Sequence, residues 1–92
     1  MPEPTRRRPR HPINHSARLG RVVQQLREER GMSQETLADL AQLDRTYVSM
    51  LERGLHRVSL EIAAAISGAF DLSLPELITR VERERSQDAS KD

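Results

Sequence analysis

The stretch DRTYVSMLERG, residues 44–54, gathers the side chains best equipped to engage a partner. Val48 and Leu51 stand three apart, the spacing that puts two side chains on one face of a helix and anchors that face in a core. Arg45, Thr46, Tyr47, Ser49 and Met50 then lie on the other side. Their chemistry is that of contact: a planar guanidinium, three hydroxyls and a flexible thioether. Arg53, His56 and Arg57 continue this set into the next segment. Catalysis would need convergent polar groups, and the chain offers no nucleophile–base pair, phosphate-cradling glycine loop or cysteine. The histidines His11, His15 and His56 are not expected to hold a metal. No enzyme activity and no cofactor are expected.

The elements that carry this stretch must be small. Ninety-two residues, 36% hydrophobic and 32% charged, make one domain with charged margins. Without cysteine there is no disulfide or thiolate zinc site to support it, so stability must come from helix packing. No apolar run approaches the roughly 20 residues that span a bilayer, and no secretory signal is visible. The expected compartment is the cytoplasm, with no membrane partner.

The net charge of +1 hides a strong asymmetry. Residues 1–21 carry +5, residues 22–75 carry −3, and four of the five prolines fall in the first twelve residues. The first fifteen residues are expected to form a basic, extended arm when free, either a solvated tail or a polyanion-seeking segment whose effect falls with salt.

Helical spacing begins after Ser16, a candidate N-cap, with Leu19, Val22, Val23 and Leu26, and Gly31 supplies a stop. Ser33 caps a second short helix with a Leu37, Leu40 and Ala41 stripe. Asp44 can cap a third over residues 45–52, with Gly54 just past its end. A fourth follows Ser59, with Leu60, Ala63, Ile66, Ala69 and Phe70 able to face inward. SLPE at residues 73–76 has capping-box spacing and opens a fifth helix bearing Leu74, Leu77, Ile78 and Val81. The expected fold is an all-α five-helix bundle. It would occupy residues 16–83, followed by a charged flexible tail over residues 84–92.

Residues 34–53 fit the helix-turn-helix pattern, with Leu37, Ala38, Ala41, Leu43, Val48 and Leu51 where the two helices meet. SQETLADLAQLDRTYVSMLERG followed by VSLEIAAAI resembles the Xre, or Cro-and-phage-repressor, type of helix-turn-helix regulator over about residues 19–79. RTYVSMLERG and VSLEI are most similar to the controller proteins of restriction–modification genes. One departure is Gln42, where that turn commonly has glycine; positive φ there costs a non-glycine residue of order 1 kcal/mol.

The resemblance implies that the third helix lies in the major groove of double-stranded DNA. Arg45, Thr46 and Met50 would then face base edges, with Arg45 donating two hydrogen bonds to a guanine. Gln34, Tyr47, Ser49, Arg53, His56 and Arg57 would contact phosphate, although Tyr47 also borders the core and Gln34 has the bland reading of a helix-start residue. Glu52 would pair with Arg27 and lock the first helix to the third. A homodimer joined through Leu72, Leu74, Leu77, Ile78 and Val81 would read a near-palindromic operator as a transcriptional regulator. RNA polymerase is a possible further partner if the regulator also activates. The alternative is an antitoxin-type module that binds DNA but whose main partner is a toxin protein.

Overall fold

The computed structural model describes residues 14–84. The basic arm and charged tail expected from the sequence lie outside the described residues, except for residues 14, 15 and 84 at their inner ends. Five helices follow one another: α1 (His15–Glu29), α2 (Gln34–Ala41), α3 (Arg45–Glu52), α4 (Leu60–Ala69) and α5 (Leu74–Arg83). Among the described residues there is no strand.

Each helix begins where a short polar side chain can satisfy its free amides. Ser33, Asp44 and Ser59 accept from the backbone of Thr36, Thr46 and Ile62, at 3.0, 3.0 and 3.1 Å. Ser73 and Glu76 form the reciprocal capping box of α5. The first helix corrects the sequence reading: its cap is Asn14, whose Oδ1 accepts from the Ala17 amide at 2.9 Å, and Ser16 is already helical. Asparagine and serine are equally good caps, so two candidates two residues apart could not be ranked from sequence.

The core runs through all five helices, with Val23, Leu26, Leu37, Leu51, Ile66, Phe70 and Leu77 among its fully buried side chains. Two apolar residues expected inside are not: Leu40 is 56% exposed and Leu60 69%. Leu60 is the first residue of α4, beyond the edge of the packed layer, and Leu40 flanks the Leu37–Ala38–Ala41 stripe that α2 actually buries. Ala69 is only partly covered.

Of the residues expected at an interface on α5 and its approach, some also serve the monomer's core. Leu77 and Val81 are 0% and 5% exposed, so they close the monomer's own core and have no surface left for a second chain. Leu72 and Leu74 pack partly against that core, and Ile78 remains 41% exposed. Polar contacts tie this helix to α1. Arg18, counted with the basic N-terminal segment by charge, is buried in α1 and donates to the Glu82 carbonyl at 3.2 Å. Glu84, assigned to the tail by composition, accepts from Arg21 at 3.3 Å and Gln25 at 3.4 Å.

Candidate nucleic-acid interface

The position of α3 is fixed from three directions. From within, Val48 and Leu51 are each 1% exposed. From the α2 side, the turn closes through the Leu43 amide bonded to the Ala38 carbonyl at 2.8 Å, with Gln42 held at φ 59° and ψ 46°. The turn therefore forms with glutamine in the left-handed region, a conformation glycine adopts without steric cost. From the α1 side, Gly20 lets the two backbones touch: a Cβ at this position would lie 2.5 Å from the Leu51 carbonyl oxygen and 2.7 Å from that of Glu52. The sequence reading passed over Gly20. A glycine costs about 1 kcal/mol inside a helix, which marks such a residue as one kept for close approach.

A polar lock reinforces the α1–α3 contact. Arg27 donates to Glu52 through Nε at 2.7 Å and Nη2 at 3.1 Å, and its Nη1 donates to the Met32 carbonyl at 2.8 Å. The hydrogen bonds that Arg27 donates to Glu52 raise its guanidinium pKa further, against the opposing effect of burial. Gln34, at the start of α2, donates its side-chain amide to the same carboxylate at 3.0 Å. One carboxylate thus joins three helices, and its charge is balanced by Arg27.

The outward side of α3 carries the remaining residues. Arg45 and Thr46 are exposed in its first turn, and Tyr47, Ser49 and Met50 are half-buried along its flank. The helix stops at Gly54, φ 75°, whose amide bonds to the Leu51 carbonyl at 2.9 Å while Leu55 bonds to Met50 at 3.1 Å. Arg53 and Arg57 are exposed beside this stop. His56 instead turns back and stacks on Tyr47, with ring centroids 5.0 Å apart and planes 22° from parallel. No periodicity or short-range spacing in the sequence announces that pair. The result is a helix N-terminus bearing an arginine and a hydroxyl, flanked by further donors and two arginines, on a rigid two-helix support. Its donors suit a polyanion with acceptors in a groove, and the Asp44 side chain is occupied in capping.

The helix-turn-helix family profile matches residues 23–77, which include α2, α3 and their turn. The chain belongs to this family, in its Xre-type branch. Among its relatives is the control protein C.MunI from Mycoplasma sp, 40% identical over 68 residues that make up 73% of this chain and 92% of that protein. Among solved structures, the restriction-modification controller protein C.AhdI from Aeromonas hydrophila is 40% identical with a TM-score of 0.67, covering 71% of this chain and 98% of its own. The controller protein C.Esp1396I, solved as a tetramer with its natural 35 base-pair operator, is 27% identical with a TM-score of 0.72, covering 79% and 96%.

Proposed function

We propose that the protein is a sequence-specific transcriptional regulator that binds a near-palindromic operator as a homodimer, in the manner of the control proteins it resembles. The observation that carries this reading is the mounting of α3. Buried Val48 and Leu51 hold it rigidly while Arg45 and Thr46 stand free at its N-terminal end. Arg45 reads a guanine, Thr46 and Met50 contact neighbouring base edges, and Gln34, Tyr47, Ser49, Arg53 and Arg57 form the phosphate-facing rim, with His56 stacked behind it on Tyr47. Glu52 faces away from this role, engaged by Arg27 and Gln34.

One domain of this size makes few base contacts, and two copies on a two-fold axis double them. The second copy docks on the solvent face of α5 around Ile78, flanked by Leu72 and Leu74. The operator-bound tetramer of C.Esp1396I supports assembly of copies on DNA. Two recognition helices then enter successive major-groove turns, about 34–36 Å apart. The protein acts in the cytoplasm by occupying promoter DNA, blocking polymerase at one site or contacting it from another, without chemistry of its own. Footprinting with light scattering on a selected duplex tests this: two protected half-sites one turn apart and two chains per duplex support it, and one protected half-site with one chain refutes the dimer.

A further inference from the structure

The loop between α3 and α4 leaves the recognition helix at Gly54 and rejoins the fold at Ser59, the α4 cap. Its first turn is tied down by the Gly54 and Leu55 amides. Beyond that, Val58 packs partly against the core, and the His56 ring lies on Tyr47. Tyr47 itself packs partly against the core, so its ring is restrained by the core and by the imidazole together. A tyrosine has only two side-chain torsions, and a ring restrained in this way holds its hydroxyl in one direction. Arg53, the C-cap of α3, and Arg57, next to His56 in the chain, are both exposed beside this loop.

We propose that His56 is a positioning residue of the DNA face: its imidazole, stacked on Tyr47, clasps the loop after α3 to the recognition helix and aims the tyrosine hydroxyl at a phosphate. The proposal rests on the DNA-binding reading and assigns His56 a role through Tyr47, with no phosphate contact of its own. Stacked pairs at centroid separations of 4.5–7 Å need an aromatic plane and no charge, so a neutral ring should serve in place of the imidazole. The clasp belongs to the free protein and is complete before DNA arrives, which lowers the ordering cost of binding.

Tyr47 is the chain's only tyrosine, and there is no tryptophan, so its emission reports this one ring. The test compares wild type, His56→Ala, His56→Phe, Tyr47→Phe and the Tyr47→Phe/His56→Ala double variant. Tyrosine anisotropy is read on the free proteins, and affinity across a salt series on the tightest duplex selected from a random pool. His56→Ala should free the ring, seen as lower anisotropy, and weaken DNA binding about fivefold, while His56→Phe restores both. In the Tyr47→Phe background, His56→Ala should cost little further affinity, because the hydroxyl it aims is gone. Equal affinity of His56→Ala and wild type would overturn the proposal. So would a His56→Phe variant as weak as His56→Ala with a salt slope reduced by about one, the mark of a direct phosphate contact. Failure of wild type to select any duplex would refute the DNA-binding reading and this role with it; the anisotropy would still report whether the clasp exists in the free chain.

Discussion

Replacing Glu52 by alanine removes the acceptor shared by Arg27 Nε at 2.7 Å, Arg27 Nη2 at 3.1 Å and Gln34 Nε2 at 3.0 Å. The Arg27 and Glu52 side chains are 14% and 5% exposed, so this is a buried pair. Removing one member of such a pair costs about 3–5 kcal/mol, mainly because the other charge is left without compensation. Arg27 retains the Met32 carbonyl and a small solvent window, which places the loss near the lower end, about 3 kcal/mol. For a domain of this size that lowers Tm by roughly 12–24 °C. Thermal melts followed by circular dichroism measure it directly. A second arm separates lost charge pairing from lost packing: the Arg27→Met/Glu52→Leu double variant, which leaves no orphan charge, should recover most of the Tm. It should not recover full DNA affinity, since Gln34 has lost the carboxylate that orients it. A Tm drop below about 4 °C in Glu52→Ala would mean that the pair contributes less than about 1 kcal/mol and would refute the lock.

Three further outcomes follow from local geometry. Gly20→Ala should destabilise by about 2 kcal/mol and weaken DNA binding, because its Cβ can be accommodated only by moving α1 away from the α3 carbonyls; chemical denaturation measures the first effect. Gln42→Gly should stabilise by about 0.5 kcal/mol, the relief at φ 59° being partly offset by the freedom glycine gains in the unfolded chain; a lower urea midpoint would contradict it. Glu76 is held below the ordinary carboxylate range, first by the hydrogen bond from the Ser73 backbone amide. Its folded pKa is therefore depressed: its contribution is present above the ordinary carboxylate value and lost as pH falls through the folded one. Glu76→Gln should accordingly show a shallower fall in urea midpoint between about pH 6 and about pH 3 than wild type does.

The capped starts of α2 to α5 were legible because Ser33, Asp44, Ser59 and Ser73 stand immediately before helical apolar spacing, and a cap acts only on the next turn. The cap of α1 is not legible in the same way: Ser16 satisfies the same local rule as Asn14, which the spacing does not single out. Leu40 and Leu60 were placed inside because periodicity records spacing and not where the packed layer ends. Non-local contacts were the hardest to see. The Arg27–Glu52 pair, spanning 25 residues, was suggested by resemblance alone, and the Tyr47–His56 stack by nothing in the sequence. Arg18 was counted with a basic segment by charge, although its stem and head are enclosed between α1 and α5. Composition sees a cation; only the fold shows which cations face solvent.

The central claim is that α3 reads DNA bases through its exposed N-terminal turn, with Arg45 foremost. The most direct measurement is selection of bound duplexes from random DNA, run in parallel on wild type and Arg45→Ala at one fixed salt concentration. The account predicts enrichment of a two-half-site palindrome by wild type. In the variant, preference should relax at one base pair per half-site by about 1–3 kcal/mol, with the rest of the motif retained. Identical motifs from the two proteins, or no motif from well-folded wild type, would contradict it.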